Sequence, residues 1–131
     1  MDKNEMLDKF ENSEGFYKHN NFQVVEYKDE EYVILRAKLN NNSLNPYGFA
    51  HGGLIFGLGD TAMGILAKTT GRSAVTLNAN ISYLRPIKGK TMTAKATMLK
   101  NGKSIVYLKA DIFNENNELS AVMDSNYFYV E

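Results

Sequence analysis

Asn45-Pro46-Tyr47-Gly48-Phe49-Ala50-His51-Gly52-Gly53 runs straight into Leu54-Ile55-Phe56-Gly57-Leu58-Gly59-Asp60-Thr61-Ala62. The first half is a turn, with Pro46 and Gly48 at turn-like positions. The second half opens the only long helix pattern in the chain, residues 51–68. That pattern is apolar nearly all round, which marks a buried helix rather than an amphipathic one. At 1.5 Å per residue it spans roughly 27 Å. Gly53, Gly57, Gly59 and Gly64 each weaken it by about 1 kcal/mol relative to Ala. Close packing of its backbone against a sheet or a second helix has to compensate. Gly71 closes it, with Lys68 in the last turn matching the helix dipole. One carboxylate, Asp60, interrupts the apolar run, and between Leu54 and Ala67 its only polar neighbour is Thr61. A buried carboxylate without a partner is costly.

Strand patterns surround this helix. Before it, Met6, Leu7 and Phe10 fall at helical spacing and predict a short helix over residues 3–12, ended by Gly15. Residues 22–27 and 32–39 read as two strands joined by the polar turn Asp29-Glu30, a hairpin. In the second, Val33, Leu35, Ala37 and Leu39 alternate with Tyr32, Ile34, Arg36 and Lys38. After the helix come strands over residues 73–84, 91–99, 104–113 and 119–130. In the first of these, Val75, Leu77, Ala79, Ile81 and Tyr83 face one way, and Thr76, Asn78, Asn80 and Ser82 the other. Met92, Ala94, Ala96 and Met98 share a face of the next, and Asn101-Gly102 predicts a two-residue type I′ hairpin turn. Strands of about ten residues exceed the usual five or six, and a long antiparallel sheet twists and curls. The expected architecture is therefore α+β, a long curved antiparallel sheet wrapped around one central hydrophobic helix. One helix cannot both fill the concave side and hide a sheet edge, so dimerisation is expected.

Bulk properties narrow the function. The chain has 131 residues, enough for one domain over residues 1–131 with a true core. Lys+Arg and Asp+Glu are both 15, giving zero formal charge and no footprint for nucleic acid. Cysteine is absent, which removes disulfides, thiolate metal sites and a Cys nucleophile, and suits the cytoplasm. The polar start Met1-Asp2-Lys3-Asn4-Glu5 lacks the apolar core of a signal peptide. The run from Leu54 to Ala67 is too short to span a bilayer, which takes roughly 20 apolar residues. Two histidines, His19 and His51, without ligand-type spacing predict no metal site. Neither a Gly-x-Ser-x-Gly elbow nor a phosphate-binding Walker loop is present.

The residues that carry chemistry each have a bland reading beside the sharp one. His51 before Gly52-Gly53 is ordinarily structural, and paired glycines ordinarily permit a tight turn. At a helix start they also leave backbone N–H donors open to an anion or a developing oxyanion. Asn45 belongs to a common turn, but its amide can orient a ligand or water. Asp60 is either a hydrogen-bonded structural acid or a nucleophile or base in a dry pocket, where desolvation raises basicity. Thr76, Asn78, Asn80 and Ser82 form either a solvated strand face or one wall of a wet cleft. Arg85, Lys88 and Lys90 are either plain surface or phosphate contacts.

With these residues in view, the chain resembles hotdog-fold acyl-CoA thioesterases of the phenylacetate-degradation (PaaI-like) type. The likeness rests on Asn-Pro-x-Gly-x-x-His-Gly-Gly at Asn45 to Gly53, on Asp60-Thr61-Ala62, and on Asn80-Ile81-Ser82-Tyr83-Leu84-Arg85-Pro86. The resemblance implies homodimers, often paired into tetramers, that hydrolyse an acyl-CoA substrate at the dimer interface with no cofactor or metal. It implies that Gly52 N–H polarises the thioester carbonyl and that Asp60 of the other subunit is base or nucleophile. Asn45 and His51 then position substrate or water, and Thr76 holds the water. Gly53, Asn78, Arg85, Lys88 and Lys90 become candidate substrate contacts. Gly57-Leu58-Gly59 departs from bulkier residues in relatives and predicts a wider acyl pocket, and the short loop over residues 69–72 an altered entry. A non-catalytic acyl-CoA or acyl-chain binding protein on the same fold is the alternative, and Asp60 discriminates the two, since a pure binder needs no buried carboxylate opposite an oxyanion donor. A dehydratase on a related fold would need a different catalytic arrangement.

Overall fold

The computed structural model describes residues 3–130. Two short helices lead, α1 (Lys3–Glu11) and α2 (Phe16–His19), followed by strands β1 (Phe22–Lys28) and β2 (Tyr32–Lys38). A 3-10 turn (Asn41–Ser43) precedes the long helix α3 (Gly52–Lys68). Strands β3 (Ala74–Tyr83), β4 (Thr91–Asn101), β5 (Ile105–Asn114) and β6 (Leu119–Tyr129) complete the chain. All six strands form one antiparallel sheet in the order β1-β2-β4-β5-β6-β3. Helix α3 packs against β2 through β6. The chain thus carries β3 from the helix to the far edge of the sheet, where β6 is its one pairing strand among those described.

Alternation places the core as the sequence predicts in β2 and β4, and β5 follows the same pattern. Val33, Leu35 and Ala37, then Met92, Ala94 and Ala96, then Val106, Leu108, Ala110 and Ile112 are all buried against α3 and its surroundings. The β1–β2 hairpin forms, and Glu30 takes a positive φ in its turn. Helix α1 stops at Glu11, and Gly15 precedes α2 instead of ending one long segment. Leu7 and Phe10 pack on the core, whereas the Met6 side chain and residues 1, 2 and 131 lie outside the described set.

Two bulges move what simple alternation predicts. In β4, the pairs Met98–Leu108 and Lys100–Tyr107 skip Leu99. The reversal then falls at Lys103-Ser104, not at Asn101-Gly102: Gly102 N–H donates to Ile105 O at 2.9 Å. None of these residues has the positive φ that a type I′ turn requires. Gly102 serves a close approach, since a Cβ there would lie 2.6 Å from Ile105 O. In β3, the pairs Thr76–Tyr127 and Asn78–Asn126 skip Leu77. The single extra residue flips every side chain on one side of it relative to the other. Thr76 therefore joins Ala79, Ile81 and Tyr83 on the helix side, while Asn78, Asn80 and Ser82 remain on the outer face. Val75 and Leu77, expected inside, are 52% and 53% exposed.

Helix α3 is not covered all round. Leu54, Ile55, Leu58, Gly59, Ala62, Met63, Ile65, Leu66 and Ala67 are buried, but Gly53, Gly57, Asp60 and Gly64 mark a partly open stripe. Glycine lets the sheet approach closely. A Cβ at Gly59 would fall 2.2 Å from Met123 Sδ with Ile112 Cδ1 at 3.3 Å, and one at Gly57 would meet the Phe16 ring at 2.7 Å. The space these glycines leave is filled by Met123 and Phe16, so they do not widen a pocket. Gly59→Ala is expected to destabilise the fold by about 1–2 kcal/mol, because overpacking beside buried Met123 outweighs the better helix propensity of Ala. Thermal or denaturant unfolding of the variant checks this.

Candidate active site

The start of α3 is built by the turn before it. Asn45 Oδ1 accepts from Tyr47 N–H at 3.0 Å and Phe49 N–H at 3.1 Å, and Gly48 adopts φ +84. Asn45 is thus first the residue that folds the turn. Ala50 N–H then donates to Ile87 O and His51 N–H to Ser43 O, which fixes the approach to the helix. His51 is the N-cap: its Nδ1 accepts from Gly53 N–H at 2.9 Å. A ring that accepts through Nδ1 carries its proton on Nε2 when neutral. The Tyr83 hydroxyl donates to Gly52 O at 2.7 Å. The Gly52–Gly53 peptide is thereby held at both ends. The adjacent Gly52 N–H, at the positive end of the helix dipole, has no hydrogen-bond partner among the described residues. Gly52 lines a cleft of about 370 Å³ together with Asn45, Phe49, Ile55, Tyr83 and Arg85.

Asp60 lies two turns further along the helix and is half-buried. It is not alone. Thr76 Oγ1 donates to Asp60 Oδ1 at 2.8 Å. The Tyr127 hydroxyl lies 2.5 Å from the same oxygen and 2.5 Å from the Asp60 carbonyl oxygen. Burial, and then the facing Asp60 carboxylate, push the Tyr127 phenol far above its ordinary pKa, so it remains a donor. The second carboxylate oxygen, Oδ2, has no partner among the described residues.

The two clusters do not meet within one chain. Eight residues of helix separate Gly52 from Asp60, a rise of about 12 Å. The remaining candidates scatter. Gly53 N–H is taken by His51. Asn78 Oδ1 accepts from Asn126 Nδ2 on the outer sheet face. Arg85 lines the cleft but its guanidinium is paired with Glu118 at 2.9 Å and its Nε donates to Leu119 O. The Lys88 ammonium sits 4.8 Å above the ring of Phe49, which lines the same cleft. Lys90 uses its backbone N–H to reach Glu115. Among the described residues no three His, Asp or Glu side chains converge, and no helix is long and apolar enough to cross a membrane.

Sequence reading missed Tyr83 and Tyr127. A Tyr at an inward strand position signals that its hydroxyl needs a partner. That signal does not name the partner, because Asp60 is 67 residues away from Tyr127.

Comparison with known proteins places this arrangement among relatives. Residues 47–121, more than half of the chain, match the family described as Thioesterase superfamily. The Acyl-coenzyme A thioesterase PaaI of Escherichia coli is 30% identical over 95 residues, 72% of this chain and 68% of that protein. Its solved hotdog structure superposes with a TM-score of 0.88, covering 95% of this chain and 89% of that one at 23% identity, a likeness of fold. A Streptococcus mutans protein solved bound to acetyl CoA is 29% identical, with a TM-score of 0.82 and coverage of 91% and 96%. A hypothetical thioesterase of Streptococcus pneumoniae, solved with coenzyme A, is 30% identical, with a TM-score of 0.79 and coverage of 84% and 89%. The Streptococcus pneumoniae protein has also been solved as an Asp→Ala and as a Thr→Ala variant. Those two positions are 16 apart, the separation of Asp60 and Thr76 here.

Proposed function

Because the chain belongs to the thioesterase superfamily, in its PaaI-like hotdog branch, we propose that it hydrolyses acyl-CoA thioesters at a site shared by two copies of the chain. The observation that carries this reading is the pair of half-sites on α3, an open N–H at Gly52 and a carboxylate with one open oxygen at Asp60. A reacting carbonyl has to lie about 3 Å from both the oxyanion donor and the base. One helix holds them about 12 Å apart, so a second copy supplies Asp60 to the Gly52 cleft. The edge position of β3 supports that pairing. It offers unpaired backbone groups beside Thr76, together with exposed Val75 and Leu77.

In this reading the thioester carbonyl oxygen points at Gly52 N–H. A water held near Thr76 loses its proton to Asp60 Oδ2 and attacks the carbonyl carbon. The negative charge gathers on the carbonyl oxygen, where the N–H and helix dipole stabilise it. Collapse breaks the C–S bond, and the proton passes to the departing CoA sulfur, leaving a carboxylic acid and free CoA. Asn45 Nδ2 and His51 Nε2–H are the nearby side-chain donors for substrate or water. Lys88 at the cleft is the cation suited to the CoA phosphates, as Arg85 is already engaged by Glu118. The acetyl-CoA and CoA complexes of the streptococcal relatives support this class of ligand.

A panel of aliphatic, aromatic and hydroxybenzoyl CoA thioesters, assayed with a thiol-trapping dye, tests the proposal. Release of thiol well above the buffer rate with at least one member is the expected result. Tight binding across the panel without release would overturn it in favour of a non-catalytic acyl-CoA binding protein.

A further inference from the structure

Resting on that reading of Asp60, we infer that Tyr127 is a positioning residue, which fixes the carboxylate so that Oδ2 alone faces the reaction. Tyr127 is 2% exposed, at an inward position of β6 directly opposite Thr76 across the β3–β6 ladder. Its hydroxyl reaches both Asp60 Oδ1 and the Asp60 carbonyl oxygen. A single phenol thereby spans the side chain and the main chain of the same residue, and that bridge restricts the Asp60 rotamer. Thr76 Oγ1 donates to the same Oδ1 from the other strand. Two donors on one oxygen leave the other as the free proton acceptor.

The geometry depends on a local feature of β3. The bulge at Leu77 turns Thr76 toward the helix, bringing it level with Tyr127. A free Asp side chain samples several rotamers, and misplacement of a catalytic group by about 1 Å costs on the order of a hundredfold in rate. The hydroxyl is therefore assigned to the reaction and the ring to packing.

Tyr127→Phe separates the two, since it keeps the ring and removes the donor. The expected result is a kcat lowered roughly ten- to hundredfold with KM little changed. In the Asp60→Asn background the same change is expected to have no further effect on kcat, because groups that act as a unit are non-additive. A Tyr127→Phe enzyme with parental kcat would overturn the inference, as would an undiminished further loss in the double variant. If Asp60→Asn itself retains full activity, the reading of Asp60 as the general base falls first. If only Tyr127→Phe is silent, that reading stands and the positioning role falls.

Discussion

Asp60→Asn is expected to lower kcat for thioester hydrolysis by roughly 10²–10⁴-fold, the usual worth of a positioned general base. Asn is nearly isosteric with Asp and retains an amide oxygen. Thr76 and Tyr127 can donate to that oxygen as they do to Oδ1. Fold and affinity for an acyl-CoA are therefore expected to survive, and the loss to appear in kcat. Steady-state thiol release measures the rate, and a melting curve reports the fold. A variant within about twofold of the parent kcat would remove Asp60 from the chemistry.

Gly52→Pro is expected to lower kcat by roughly 10²–10³-fold, the scale of losing one oxyanion donor. Gly52 is the first helical residue, where proline is well accommodated because the N–H is not needed by the helix. His51, at φ −62 and ψ 135, already has the extended backbone that a residue before proline prefers. The substitution removes the N–H while the Tyr83 phenol, 3.3 Å from the added Cβ, gives way slightly. The sharper result comes from mixing. Neither Gly52→Pro nor Asp60→Asn is active alone, yet each retains the half-site the other lacks. Unfolding and refolding the two together in equal amounts makes about half of the dimers mixed, each with one intact composite site. About a quarter of the parent activity is then recovered. A site contained within one chain predicts no recovery.

Particular residues separate what was legible in the sequence from what was not. The core alternation of β2 and β4 could be read directly, because side-chain direction follows a fixed two-residue period. That reading failed in β3 at Leu77, because a bulge is set by pairing with a strand more than forty residues away. Thr76 was named as a water-holding residue through family resemblance, yet alternation put it on the same face as Asn78. The bulge separates the two and brings Thr76 to Asp60. The Gly57-Leu58-Gly59 run suggested open space and proved to be filled from α2 and β6, since a sequence shows an absent side chain but not what moves into its place.

By itself the sequence determined the helix, its glycine-lined start, and the isolated acid within it, because these depend on neighbours within a few residues. Only the tertiary structure decided which carboxylate oxygen is held and which is open. The partners Thr76 and Tyr127 reach Asp60 through the sheet, across 16 and 67 residues. The spacing of donor and acid is by contrast local, since eight residues of helical rise put Gly52 and Asp60 about 12 Å apart, and the proposal of a site shared between two copies rests on that distance.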